Sequence, residues 1–247
     1  SKFKSTLSLQ KIYTMSKSFS DLGINLQIQQ SLTDLKIATP TDIQEKTIPI
    51  VLNQKADIVA LSKTGTGKTA AFGLPLLQLI DVENTSVQAV ILAPTRELGQ
   101  QIYASLMTFA AHSTAISIAV VCGGIPIKPQ IERLKETTHI VVATPGRLVD
   151  LVNRNAITIK EINYFVLDEA DEMLSALKTD VDTIIKAIPK TRRTLLFTAT
   201  MSGAIKQLIQ NYMSKQVVHI EADMATLGHQ GILHQYTVVS PIEKLDV

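Results

Sequence analysis

The stretch Asp168-Glu169-Ala170-Asp171 puts three carboxylates at the end of the apolar run Tyr164-Phe165-Val166-Leu167. Unpaired carboxylates beside a hydrophobic strand lose several kcal/mol of solvation, a loss that a divalent cation offsets. About one hundred residues upstream stands Ser62-Lys63-Thr64-Gly65-Thr66-Gly67-Lys68-Thr69. Its glycines let backbone N–H groups converge on phosphate oxygens at a helix N-terminus. In such a loop Lys68 reaches the β- and γ-phosphates and Thr69 holds Mg²⁺. Together the two segments point to hydrolysis of a nucleoside triphosphate.

Each segment also has a plainer reading. Residues 62–69 could be a glycine-rich strand-to-helix turn, and 168–171 a solvated acidic turn at the positive end of a helix starting near Glu172. Their co-occurrence favours the chemical reading. Asp168 is then the Mg²⁺ ligand, partly through water, and Glu169 orients and deprotonates the attacking water. Asp171 reads as a tether to a neighbouring motif.

These side chains need a frame, and short β-branched runs recur to supply one. Strands are expected over 57–61, 89–93, 116–122, 140–143, 164–167, 194–197 and 217–221. Most are nearly continuous in apolar residues, as in strands buried on both faces of a parallel sheet. Helical stripes lie between and before them: Ile28, Leu32 and Leu35; Leu148, Leu151 and Val152; Ile205, Leu208, Ile209 and Tyr212. This alternation predicts an α/β fold, a mostly parallel sheet with helices on both faces. Ligands in such sheets bind at the carboxyl ends of the strands. Six polar or glycine-bearing clusters follow successive strands there, which argues for one composite site.

With 45% hydrophobic and 19% charged residues, the 247-residue chain has the balance of a folded globular domain. A net charge of only +2 excludes a global basic field, so nucleic-acid contact must come from a local patch. Cys122, the single cysteine, excludes an internal disulfide and reads as a small core residue. The histidines lack metal-ligand spacing. No run reaches the ~18 apolar residues of a membrane span, and the first twenty residues lack a signal-peptide core. A cytoplasmic protein without membrane contact is expected.

The ordered motifs resemble those of the first RecA-like domain of DEAD-box RNA helicases, over about residues 19–247. Residues 62–69 are similar to motif I, with Ser62 where alanine is usual. Pro94-Thr95-Arg96-Glu97-Leu98 resembles motif Ia and Gly123-Gly124 the double-glycine motif. Thr144-Pro145-Gly146-Arg147 resembles motif Ib and 168–171 motif II. Thr198-Ala199-Thr200 stands where the family has Ser-Ala-Thr. Phe19, Leu22-Gly23 and Pro40-Thr41-Asp42-Ile43-Gln44 resemble the Q motif. Other departures are Lys36-Ile37 for a usual Gly-aromatic pair, Gly99 for alanine, and Ala176-Leu177-Lys178 for Met-Gly-Phe.

The resemblance implies a RecA-like P-loop domain that binds ATP and Mg²⁺, with Gln44 reading adenine and Phe19 stacking on it. The plainer alternative for Gln44 is a solvent-facing residue of a helix start. It also implies sequence-independent RNA-backbone contact through Pro94, Thr95, Arg96, Gly123, Gly124, Thr144, Pro145, Gly146 and Arg147. A competing assignment pairs Arg96 with Glu97 or Asp171. Asp171, Thr198, Ala199 and Thr200 would couple nucleotide state to RNA grip. The expected organisation is a flexible tail (1–18), the ATP-binding domain (19–225), and a linker with the first strand of a second RecA-like domain (226–247). Leu233 to Ser240 would form that strand. The chain is expected to act as a monomer and, alone, to bind ATP but scarcely hydrolyse it, because arginine fingers come from the second domain. Rival readings are a DNA translocase of the same superfamily and a nucleotide-gated RNA clamp.

Overall fold

A computed structural model of the chain describes residues 17–113 and 115–222. The expected tail up to residue 16, and the linker and strand beyond 222, lie outside the described residues.

Two helices precede the sheet: α1 (Leu26–Asp34) and α2 (Asp42–Asn53). The Asn25 side chain caps α1 by accepting from Ile28 N at 3.0 Å. The sheet then forms from β1 (Asp57–Leu61), β2 (Ala89–Leu92), β3 (Ile118–Val121), β4 (Ile140–Ala143), β5 (Tyr164–Leu167), β6 (Arg193–Thr198) and β7 (Val217–Glu221). Their order is β3-β4-β2-β5-β6-β1-β7, and every pairing is parallel. The sheet is thus wholly parallel among the described residues. Parallel neighbours need crossovers, and helices supply them: α3 (Lys68–Leu79), α4 (Arg96–Phe109), α5 (Ile127–Arg133), α6 (Pro145–Asn153), α7 (Ala170–Ala176), α8 (Lys178–Ala187) and α9 (Gly203–Tyr212).

Alternation along each strand divides the core between two faces. Ile58 and Ala60 of β1 pack with residues of α1 to α4, including Ile28, Leu32, Phe72 and Leu106. Val59 between them packs on the other face, with Leu148, Leu151, Met173, Ile184 and Ile205. Phe72 of α3 meets Phe197 of β6 with ring centroids 5.2 Å apart.

Several boundaries differ from the sequence reading. Strand β3 begins at Ile118, two residues late, because Ser117 turns its amide to the His139 ring. Leu35 is the exposed C-cap of α1 and leaves the stripe to Ile28 and Leu32. Helix α7 starts at Ala170, so Asp171 and Glu172 occupy its first turn and Glu169 its N-cap. Cys122 is buried, as expected. A Cβ on Gly99 would stand 3.0 Å from its Sγ, so the glycine makes room for the thiol.

Arg193 fastens the end of α2 to the start of β6. Its guanidinium donates to the carbonyls of Ala56 at 2.7 Å, Ile50 at 2.9 Å and Val51. A cation there also meets the negative end of the helix dipole. No helix among the described residues is long and apolar enough to cross a membrane.

Candidate nucleotide and nucleic-acid site

Strand order sorts the six clusters into two adjoining groups on one edge. The carboxyl ends of β5, β6 and β1 are neighbours and carry 168–171, 198–200 and 62–69. Those of β3, β4 and β2 carry Gly123-Gly124, 144–147 and 94–98. The composite site is therefore two sites side by side, joined where β2 pairs with β5.

In the first group the turn from β1 to α3 is closed by Gly67, the N-cap of α3, at φ 88. A Cβ there would collide with Gln44 Nε2 and stand 3.2 Å from Thr41 Oγ1. The loop is thus built against the start of α2. Gln44 Nε2 donates to Gly67 O at 3.1 Å, Gln44 Oε1 accepts from Thr41 N at 3.0 Å, and Thr41 Oγ1 donates to Thr66 O at 2.9 Å. Gln44 is 5% exposed, which removes the solvent-facing alternative. Its amide thus already holds the loop, with one N–H and one Oε1 lone pair still to spare. Phe19 is also 5% exposed and belongs to the core, with a small part of its surface on a cavity of about 360 Å³ shared with Lys36 and Ile37. Sequence reasoning missed Thr41 as a loop clamp, although the Thr-x-x-Gln spacing of a capping box was there to find.

Lys68, in the first turn of α3, is 6% exposed, and its Nζ is buried without a hydrogen-bond partner. Its neighbour is Asp168 Oδ1 at 3.8 Å, on a residue 2% exposed. Asp168 Oδ1 accepts from Glu169 N at 3.0 Å, whereas the ammonium has no hydrogen-bond partner, and a buried cation so placed is what a bound anion would complete. Burial raises the Asp168 pKa above the ordinary carboxylate value, opposed by the Lys68 charge. Glu169 is raised too, by burial and then by the charge of Asp168. It adopts φ 52, ψ 50, the left-handed region that few non-glycine residues occupy. Thr64, Glu169, Asp171, Glu172 and Ala199 line an open cavity of about 380 Å³ beside this pair. The half-buried Thr69 follows Lys68 on α3.

The third motif closes this group. Ser62 N donates to Thr198 O at 3.0 Å, and Thr198 Oγ1 to Thr200 O at 3.0 Å. Thr200 Oγ1 in turn reaches Asp171 Oδ2 at 2.8 Å. Burial alone would raise the Asp171 pKa, but hydrogen bonds from Thr200, Thr198 and the backbone outweigh it and hold it low.

The second group is knitted as closely. Gly123 N donates to Thr144 Oγ1 at 3.0 Å, and Arg147 Nη2 to Ile125 O at 2.9 Å. Gly124 turns at φ 74, and a Cβ there would stand 3.6 Å from Arg96 Nη1. Arg96 pairs with Glu97 Oε1 through Nε at 3.1 Å and Nη2 at 3.0 Å, so in this state the competing assignment describes its contact. Both partners are exposed and readily exchanged. Thr95 caps α4 by accepting from Leu98 N at 3.2 Å. Pro145 opens α6, with Gly146 exposed beside it. Sequence reasoning missed Gln130, whose buried amide brackets Cys122, donating to its O at 3.2 Å and accepting from its N at 3.1 Å. Nothing in its local pattern marks it.

A family model described as DEAD/DEAH box helicase matches residues 41–208, from Thr41 through most of α9. The chain belongs to this family. It is 40% identical over 229 residues to the DEAD-box ATP-dependent RNA helicase CshA of Streptococcus pneumoniae, covering 92% of this chain and 43% of that protein. It is 45% identical over 202 residues to the RNA helicase CrhR of Synechocystis, covering 81% of this chain and 40% of that protein. Among solved structures, a DEAD box protein from the hyperthermophile Methanococcus jannaschii superposes with a TM-score of 0.79 at 41% identity, covering 83% of this chain and 56% of that one. The RecA-like fold is thereby shown. The chain spans less than half the length of these curated relatives.

The departures from family habit have physical correlates. Lys36 adopts φ 58, a conformation natural to the usual glycine. Ser62 replaces alanine at a position 2% exposed, where its hydroxyl finds no partner.

Proposed function

We propose that the chain is the ATP-binding half of an ATP-dependent RNA helicase. The observation that carries this is the buried, unpartnered Lys68 Nζ beside Asp168, on the strand edge that holds the glycine turn. In the proposed complex Lys68 and the amides of 62–69 hold the phosphates, while Thr69 and Asp168 hold Mg²⁺, which supplies charge neutralisation on the phosphoryl oxygens. Glu169 accepts the proton of the attacking water, and its raised affinity for protons suits that role. Gln44 and Phe19 face the base; the spare N–H and Oε1 lone pair of Gln44 pair with adenine, while its contact with Gly67 O ties that recognition to the loop.

Arg96, Arg147 and the N–H groups around Thr95, Gly124 and Gly146 would hold RNA phosphates without reading sequence. Contact between Thr200 and Asp171 would carry nucleotide state toward that grip. Completing the transition-state charge requires arginines of a second RecA-like domain, so this chain binds nucleotide and hydrolyses it very slowly. Joined to that domain, it would separate short RNA duplexes.

Titration with a fluorescent ATP analogue and Mg²⁺, competed with ATP and GTP, tests the nucleotide reading. ATP should displace the probe and GTP should do so poorly. Equal displacement by GTP would remove the role of Gln44. RNA-stimulated hydrolysis by this chain at the rate of a two-domain enzyme would overturn the half-site reading, and equal stimulation by DNA would favour the translocase.

A further inference from the structure

Among the described residues, β3 is the last strand on its side of the sheet and pairs with β4 alone. A strand so placed leaves N–H and C=O groups on its open side to be satisfied by other means. Gln130 of α5 supplies them just beyond the strand. Its side chain is 7% exposed, and Oε1 accepts from Cys122 N at 3.1 Å while Nε2 donates to Cys122 O at 3.2 Å. Nε2 also donates to Pro126 O at 3.2 Å. The amide thus pairs with Cys122 as a residue of a neighbouring strand would, and it bridges the turn from 122 to 126. A backbone N–H needs an acceptor and two carbonyls need donors, so only one orientation of the amide fits.

The bridged turn is Gly123-Gly124-Ile125, with Gly124 at φ 74. Its other fixtures are Thr144 Oγ1, which accepts from Gly123 N at 3.0 Å, and Arg147 Nη2, which donates to Ile125 O at 2.9 Å. Both belong to residues proposed to hold RNA, so a bound phosphate competes for them. Gln130 is buried and is not shared in this way. Gly124 and Ile125 are exposed, and their N–H groups meet no acceptor among the described residues. A Cβ on Gly124 would stand 3.6 Å from Arg96 Nη1, so these free donors lie beside a cation.

We propose that Gln130 is a positioning residue for RNA binding: its amide holds the turn at 123–125 so that the N–H groups of Gly124 and Ile125 meet a backbone phosphate. This role rests on the RNA reading above and extends it to a residue that touches no ligand. The place calls for two donors and one acceptor at glutamine's reach. Asparagine is one methylene short, and ionised glutamate offers no donor.

The test titrates the isotope-labelled chain with oligouridylate, reading the amides of Gly124 and Ile125, and measures affinity for the ATP analogue on the same samples. In the parent both amides should move saturably. Gln130→Met keeps length and burial but removes the hydrogen bonds to Cys122 and Pro126. It should weaken RNA binding about tenfold, the loss of one hydrogen bond to a charged oxygen, with nucleotide affinity unchanged. Gln130→Glu supplies a rescue. Its protonated carboxyl again donates and accepts, so RNA affinity should recover as pH falls from about 8 to about 6, while the parent stays level. Glu97, held low chiefly by its own backbone N–H, and the Cys122 thiol, pushed up by burial, keep their charge over this range. Nucleotide binding by Gln130→Met together with RNA affinity equal to the parent's overturns the proposal. So do RNA and nucleotide affinities of Gln130→Glu that change together with pH, as a role in folding alone would cause. Silence of the Gly124 and Ile125 amides in the parent overturns the RNA reading itself, and this role with it. The parent titration thereby separates the two failures.

Discussion

Thr200 donates its hydroxyl to Asp171 Oδ2 across 2.8 Å, joining the turn after β6 to the first turn of α7. Asp171 thereby ties two of the three motifs around the proposed nucleotide site. Thr200→Val and Asp171→Asn should each destabilise the chain, with a coupling energy of about 0.5–1.5 kcal/mol in a double-mutant cycle by urea unfolding, since the pair is only partly buried. Because Asp171 is held below its ordinary value, this stabilisation is present above that value and is lost as pH falls through its folded pKa. Additive effects in the cycle would show that the two residues act independently.

Lys68→Met removes the ammonium that faces Asp168. Each charge-assisted contact to phosphate contributes about 1.5–3 kcal/mol, so binding of the ATP analogue should weaken about 10- to 100-fold while the thermal transition stays cooperative. Equilibrium titration and a melting curve on the same sample check this. Unchanged affinity would remove Lys68 from the site.

Gly67→Ala and Gly65→Ala differ in an informative way. Both place an L-residue at positive φ, at a cost of about 1–2 kcal/mol. At Gly65 nothing lies within 4 Å of the added Cβ, whereas at Gly67 it collides with Gln44 Nε2. Chemical unfolding should therefore find Gly67→Ala the more destabilised, with preference for ATP over GTP also reduced. Equal losses would mean that the Gln44 contact contributes nothing.

His139 offers a pH test away from the site. Its ring is buried, and Nδ1 accepts from Ser117 N at 3.0 Å. Burial holds its pKa below the ordinary 6.5, opposed by the charge of Asp81. The unfolded chain then binds the proton more tightly, so stability should fall as pH drops below about 6.5 toward the folded value. Urea unfolding at pH 7.5 and 5.5 should show this loss, and His139→Gln should reduce it. A variant with the parent's pH dependence would assign the effect elsewhere.

Lys36→Gly should stabilise the chain by about 1 kcal/mol, because Lys36 sits at φ 58 and is exposed. A loss of stability in thermal unfolding would show that the lysine side chain contributes more than its backbone strain removes.

Strands and motifs were legible because their signals are local. Buried parallel strands read as short apolar runs, and β4, β5 and β7 begin and end where those runs do. Helix starts were less legible. The N-cap of α7 is Glu169 in the left-handed region, and no local preference of glutamate announces it. The contact of Gln44 Nε2 with Gly67 O was not legible either, because it joins α2 to a loop 23 residues further along the chain.

The sequence by itself determined the chemistry on offer: a glycine turn with Lys68 and Thr69, acids at 168, 169 and 171, and hydroxyls and arginines at successive strand ends. Residue type and spacing act within a few positions along the chain, so they can be read there. Tertiary structure decided which of these groups meet. Only the strand order sets β5, β6 and β1 side by side and brings Lys68 to 3.8 Å from Asp168. Such contacts span a hundred residues or more, where burial and hydrogen-bond satisfaction across the whole sheet select the partners.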